Sequence, residues 1–200
     1  MSPALPSSGS WGIMGGIFDP IHYGHLILAE SALEGCGFSG VLFVPSFNPP
    51  HREQKPEASF EDRCRMVQLA IEGHDRFLSS DFEKDLKSPG YTLAVVDFLK
   101  LKSPEVTWNL ILGADNIAQF DHWHSPEELV KRVKIFVGNR PGYDHQFQDS
   151  RWAEQVVPFE MPYIGLSSTQ LRKQLKGGRS IRYLVPDEVR RFIESKRLYR

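Results

Sequence analysis

The sequence predicts an α/β protein: a Rossmann-like three-layer domain with a mainly parallel sheet and helices on both faces. Three observations predict it. Short apolar runs alternate with helical patterns from Trp11 to the C-terminus. The runs are continuously apolar, as strands covered on both faces must be. The length of 200 residues is enough for one such domain with a full core.

Trp11–Ile17 reads as the first buried strand, and His25–Glu34 as a helix that stops near Gly35 and Gly37. Val41-Leu42-Phe43-Val44 is a second strand, ended by Pro45. The segment Pro45–Ala58 holds three further prolines and many polar residues, the composition of a long functional loop. Ser59 is placed to cap a helix whose apolar positions are Met66, Val67, Leu69, Ala70 and Ile71. Phe77–Phe82 follows as a strand, Tyr91–Lys102 as a helix and Val106–Leu112 as the most apolar strand. Ser125-Pro126-Glu127-Glu128 has the form of a capping box with proline at the first helical position. Val133–Gly138 is a further strand and Gln155–Phe159 a short last one. Helices over Thr169–Leu175 and Asp187–Leu198 complete the chain. Residues 1–10, rich in Ser and Pro, are expected to be disordered, and residues 11–200 to form a single domain.

Lys and Arg total 24 against 25 Asp and Glu, a net charge of −1. That balance argues against a nucleic-acid-coating protein. The basic C-terminal residues Arg190, Arg191, Lys196 and Arg197 are interspersed with Glu188 and Glu194, which reads as a solvated helix face. No apolar stretch is long enough to span a bilayer, and the N-terminus lacks the pattern of a signal peptide. The two cysteines, Cys36 and Cys64, form no C-x-x-C pair, so a reducing, cytoplasmic setting is the simplest expectation. The sequence leaves a homo-oligomer open.

The chemistry is concentrated in Gly15-Gly16-Ile17-Phe18-Asp19-Pro20-Ile21-His22-Tyr23-Gly24-His25. The string follows a strand and opens a helix. Glycines admit close approach of a ligand, and a helix N-terminus offers N–H groups and a positive dipole end to phosphate. The H-x-G-H spacing lets both imidazoles serve one helix start, with Gly24 leaving room between them. Neither the P-loop pattern nor the dinucleotide G-x-G-x-x-G is present, which disfavours an ordinary kinase or dehydrogenase. Zinc is weakly supported, since H-x-x-H has no third ligand nearby. A second constellation is Gly165-Leu166-Ser167-Ser168-Thr169-Gln170-Leu171-Arg172, with hydroxyls at a helix start and an arginine one turn in. Taken alone, it also fits an ordinary serine cap. Gly113-Ala114-Asp115 ends the most apolar strand, where a carboxylate can accept ribose hydroxyls or simply make a turn. Trp123 lies just beyond, placed either to stack on a flat ring or to fill a core.

Together these segments resemble the nucleotidyltransferases that carry H-x-G-H and I-S-S-T-x-x-R motifs, most of all the bacterial nicotinate-nucleotide adenylyltransferase family. Gly15 to Leu26 meets the family's G-G-T-F-D-P-I-H-x-G-H-L with Ile17 in place of Thr. Asn48-Pro49-Pro50-His51-Arg52 resembles its N-P-P-H-[KR] loop, and Arg63 with Met66 its R-x-x-M. Glu83 with Tyr91-Thr92 resembles its E…S-Y-T, with Gly90 where Ser stands and Ala94-Val95-Val96 near its usual D-T-L. Gly113-Ala114-Asp115 with Trp123, Arg140-Pro141-Gly142, Tyr183-Leu184-Val185-Pro186 and the Leu198-Tyr199 end complete the series.

The resemblance implies adenylyl transfer from ATP to nicotinate mononucleotide, giving deamido-NAD and pyrophosphate in NAD biosynthesis. It assigns catalysis to His22, His25 and Arg172. ATP would be bound by these three with Gly15, Gly16, Ile17, Phe18, Gly113, Asp115, Ser167 and Ser168. The acceptor would meet Asn48, His51, Arg52, Tyr91, Thr92 and Trp123. Mg²⁺ would ride on phosphate oxygens and water, with no protein ligand. The alternatives are a different acceptor, such as nicotinamide mononucleotide or phosphopantetheine, a cytidylyl donor, or a nucleotide-binding module without turnover.

Overall fold

The computed structural model describes residues 5–48, 55–86, 90–139, 142 and 148–200. Its centre is a six-stranded, wholly parallel sheet in the order β3-β2-β1-β4-β5-β6. The strands are β1 (Gly9–Gly16), β2 (Gly40–Pro45), β3 (Phe77–Ser79), β4 (Val106–Gly113), β5 (Lys134–Gly138) and β6 (Val157–Phe159). The helices are α1 (Tyr23–Gly35), α2 (Phe60–Ile71), α3 (Thr92–Lys102), α4 (Ala114–Ile117), α5 (Pro126–Arg132), α6 (Ser168–Lys176) and α7 (Asp187–Lys196).

Each central strand feeds two cores, because successive side chains leave a strand on opposite faces. Met14, Phe43 and Ile111 point to the layer of α1, α2, α6 and α7, where they meet Leu33, Met66, Leu171 and Val189. Ile13, Val44, Leu110 and Leu112 point the other way, onto Val96 and Leu99 of α3, Ile117 of α4 and Leu129 of α5. Helices therefore cover both faces, and the strands read as continuous apolar runs for that reason.

Several boundaries differ from expectation. Gly9 and Ser10, inside the segment expected to be disordered, pair with Val106 and Thr107 and extend β1. The third strand stops at Ser79, and Phe82, the end of the expected run, instead opens a 3₁₀ turn over Phe82–Asp85. There Phe82 leaves the edge to stack on Phe98, ring centroids 4.5 Å apart. Ser125 sits at the N-cap of α5 in left-handed backbone (φ 51°) with no side-chain cap bond, so the expected capping box is not made. Pro126 does occupy the first turn.

The parallel order reverses between β1 and β4. Their carboxyl ends thus diverge into a crevice, where open α/β sheets bind ligands. Among the described residues, no helix is long and apolar enough to cross a membrane.

Candidate active site

A cavity of about 420 Å³ fills this crevice. Gly15, Gly16, Ile17, Phe18, His22 and His25 wall it after β1, Gly113 and Asp115 after β4, and Ser167, Ser168 and Arg172 at the start of α6. Tyr91, Thr92 and Trp123 close the remaining side. The fold thus brings together nearly every expected site residue. Asn48 is exposed and does not wall the cavity. His51 and Arg52, with Arg140 and Pro141, lie outside the described residues.

The β1–α1 turn is built tightly. Phe18 takes left-handed backbone (φ 52°) and Asp19–Pro20 is a cis peptide. The Phe18 ring is buried, edge-on to His25 at 5.1 Å and 6.0 Å from Phe43, so it supports the histidine from behind. His22 and His25 stack at 3.8 Å. A Cβ at Gly24 would lie 3.0 Å from the His22 ring, which explains the glycine between them. The His22 N–H donates to Nδ1 of His25 at 3.2 Å. Nδ1 must then be unprotonated, so a neutral His25 carries its proton on Nε2 and is a donor there.

The helix start is a weaker anion site than its sequence implies. The Tyr23 N–H is taken by the Leu184 carbonyl at 3.1 Å and the His22 N–H by His25. Gly15 does offer room: a Cβ there would meet nothing within 4 Å. Ile17 turns its carbonyl to Arg63, which donates from Nη1 at 2.7 Å while almost wholly buried.

The second motif docks onto the first. Ser168 Oγ donates to the Pro20 carbonyl at 2.9 Å, and Arg172 Nη1 to the Asp19 carbonyl at 2.8 Å. Ser167 is the N-cap of α6 and accepts from the Gln170 N–H at 3.3 Å. Ser167 can still donate its proton to a phosphate, whereas the Ser168 proton is engaged by Pro20. Arg172, only 15 % exposed, also donates through Nε to Glu57 at 3.1 Å. Glu57 contacts Lys176 as well, whose ammonium, ahead of Arg172, holds that carboxyl below the usual range.

On the opposite wall, Trp123 is half-buried and tilted onto Phe120 at 5.1 Å. The other half-buried tryptophan is Trp11, while Trp108 and Trp152 are core residues. The Tyr91 ring stacks on His124 at 4.0 Å, a partner without any spacing signal in the sequence. Tyr91 is the N-cap of α3 and makes no side-chain cap bond to its first turn. Of the Ala94-Val95-Val96 departure, Val95 alone reaches the cavity, while Val96 is core. Asp115 folds back over β4, its Oδ1 2.6 Å from where a Gly113 Cβ would stand.

Glu83 also walls the cavity and was missed as a site residue by sequence reasoning. It is 3 % exposed, and its Oε1 lies 2.3 Å from an ideal Cβ at Gly90, so a side chain at position 90 would displace it. Burial pushes its carboxyl up to about 7, against the Phe47 N–H and the Arg63 charge. The folded protein therefore holds a proton that the unfolded chain releases near 4.5. The contribution of Glu83 to stability falls as pH rises from about 4.5 to about 7 and is level above that. Glu83→Gln should flatten this slope in urea titrations at pH 5 and pH 8. The gain at pH 8 is on the order of 3 kcal/mol at most. An unchanged slope would contradict the assignment.

A cytidylyltransferase-like family model matches residues 13–174. A probable nicotinate-nucleotide adenylyltransferase of Rubrobacter xylanophilus is 40 % identical over 195 residues, covering 94 % of this chain and 91 % of the relative. One of Synechococcus sp. (strain JA-3-3Ab) is 39 % identical over 204 residues, covering 100 % and 99 %. Among solved structures, Plasmodium falciparum nicotinic acid mononucleotide adenylyltransferase complexed with NaAD superposes with a TM-score of 0.75 at 21 % identity, covering 95 % of this chain and 97 % of that one. At that identity the likeness speaks for the fold.

Proposed function

The chain belongs to the cytidylyltransferase-like nucleotidyltransferases and, within them, to the nicotinate-nucleotide adenylyltransferases, and from that premise we propose how its pocket carries out the reaction. The enzyme joins ATP and nicotinate mononucleotide to deamido-NAD and releases pyrophosphate. An oxygen of the acceptor's phosphate attacks the α-phosphorus of ATP, and the bond to the β-phosphate breaks. No protein nucleophile is required. The protein's task is to align two anions and offset the charge that develops between them.

The observation that carries this reading is the docking of the two motifs on each other. Ser168 on Pro20 and Arg172 on Asp19 put an imidazole pair and a guanidinium around one end of one cavity. His25 donates through Nε2 to a phosphate oxygen, beside His22. Ser167 and Arg172 take the leaving pyrophosphate. Gly113 and Asp115 meet the adenosine ribose, whose hydroxyls suit a carboxylate acceptor.

The far end receives nicotinate mononucleotide. Trp123 offers a half-buried ring for the pyridine. At the start of α3 the Ala94 and Val95 N–H groups bond the Tyr91 carbonyl, which leaves the Thr92 N–H and a positive dipole end for the pyridine carboxylate. Glu83 works against an anionic ligand less than an ordinary carboxylate would, because burial keeps it partly protonated near neutral pH.

Among the described residues, no group of three or more metal-ligating side chains lies together. Mg²⁺ would come with the triphosphate, held by phosphate oxygens and water, and would offset phosphate charge. A reducing, cytoplasmic setting belongs to the same reading, with Cys36 and Cys64 both free thiols.

Chromatographic identification of the product tests the reaction. Incubation with ATP, Mg²⁺ and nicotinate mononucleotide should yield deamido-NAD and pyrophosphate in equal amounts. ATP binding without any dinucleotide product would instead favour a non-catalytic nucleotide-binding module.

A further inference from the structure

The C-terminal Leu198-Tyr199 pair has no part in the reaction just described, yet Tyr199 reaches the site's framework. The chain turns back through left-handed backbone at Arg197 (φ 55°) and again at Tyr199 (φ 62°), a region that non-glycine residues rarely adopt. The second turn drives the Tyr199 ring inward until it is 5 % exposed. Its hydroxyl donates to Oδ1 of Asp19 at 2.7 Å, across 180 positions of sequence.

Asp19 is itself 4 % exposed, and a buried carboxylate needs donors. Oδ1 also accepts from the Ala58 N–H at 3.1 Å, and Oδ2 from the Glu57 N–H at 2.9 Å. These two amides end the 45–58 segment, and the Glu57 carboxylate accepts from Arg172 Nε at 3.1 Å. Arg172 Nη1 stands 3.9 Å from Oδ2, close enough to attract the carboxylate but outside hydrogen-bond range. The Asp19 carboxylate thus binds the backbone arm while two guanidiniums attract it, the buried Arg63 and Arg172, toward which it could swing.

We propose that the Tyr199 hydroxyl is a positioning group: it pins the Asp19 carboxylate to the Glu57–Ala58 arm and so holds Glu57, and through it Arg172, in register at the phosphate end of the cavity. The O–H···O⁻ bond at Oδ1 is short and charge-assisted. Without it the carboxylate is free to rotate toward Arg172, lengthening both bonds to the arm. The ring alone cannot do this, which separates the proposal from simple packing of a terminal aromatic.

The test compares Tyr199→Phe, which keeps the ring, with Tyr199→Leu, which does not. Two readouts are used: steady-state kinetics, and amide hydrogen exchange at Glu57 and Ala58. In Tyr199→Phe kcat/KM for ATP should fall about five- to tenfold, and the KM for nicotinate mononucleotide should stay within about twofold. The two amides should exchange at least about tenfold faster, since their opening no longer requires breaking the pinned cluster. Wild-type behaviour of Tyr199→Phe in both readouts, with only Tyr199→Leu impaired, would reduce Tyr199 to packing and overturn the proposal. Exchange in the unmodified protein needs no variant to fold. If its Glu57 and Ala58 amides exchange as fast as exposed loop amides, the arm is not held and the proposal also fails. The kinetic arm rests on the role given to Arg172 above, whereas the exchange arm needs no substrate, so an error in that role would leave the exchange result standing.

Discussion

His25→Ala is expected to lower kcat by about 10²-fold or more, on the order of 3 kcal/mol of transition-state stabilisation, with the fold intact. The size follows from the tautomer. Because Nδ1 accepts the His22 N–H, the donor on Nε2 has a fixed direction, and no reorganisation is needed when charge builds on the transferring phosphate. A preorganised donor of that kind accounts for losses of this scale when it is removed. The His25 ring also stacks on His22 and meets the Phe18 edge, so alanine leaves a gap beside His22. His25→Gln separates the two effects. Its amide nitrogen can reach the Nε2 position, so it should recover part of kcat, whereas His25→Asn should not. Near-wild-type turnover of folded His25→Ala would remove the assigned role.

Arg172→Ala is expected to cost about 10²- to 10³-fold in kcat/KM for ATP. Its bonds to the Asp19 carbonyl and to Glu57 use two donors and fix the plane of the guanidinium at the edge of the cavity. A lysine keeps charge but loses the fork that can hold the framework and a phosphate together. Arg172→Lys should therefore fall between wild type and alanine. The structural share of the loss is limited, because Glu57 keeps Lys176 as a partner at 2.9 Å. Thermal unfolding checks this: Tm of Arg172→Ala should drop by only a few degrees while activity collapses. A variant within about threefold of wild type would show that Arg172 serves the framework and not the phosphate.

The contrast between what the sequence predicts and what the chain forms follows physical lines. The two-faced sheet was legible because buried parallel strands must be apolar on both sides, as Val41–Val44 and Leu110–Leu112 are. Strand and helix ends were less legible, since Ser79 and Ser125 respond to tertiary neighbours. The motif residues His22, His25, Ser167 and Arg172 were legible because each lies in a contiguous string with its own local geometry. Contacts between strings were not. The Tyr91–His124 stack, the Arg172–Glu57 pair and the Tyr199–Asp19 bond join residues far apart with no shared period. Hydroxyl direction is equally hidden: Ser167 and Ser168 look alike in sequence, yet only Ser168 commits its proton to the framework.

Pyrophosphate release measured with ATP and, side by side, nicotinate or nicotinamide mononucleotide bears most directly on the central claim. In the proposed arrangement the pyridine substituent meets the N-terminus of α3, which the Tyr91 side chain does not cap, and a carboxyl that burial neutralises in part. kcat/KM should therefore favour the nicotinate form by at least about tenfold, one charge-assisted hydrogen bond's worth. Equal values, or a preference for the nicotinamide form, would contradict the assignment of this end of the cavity to an anionic acceptor.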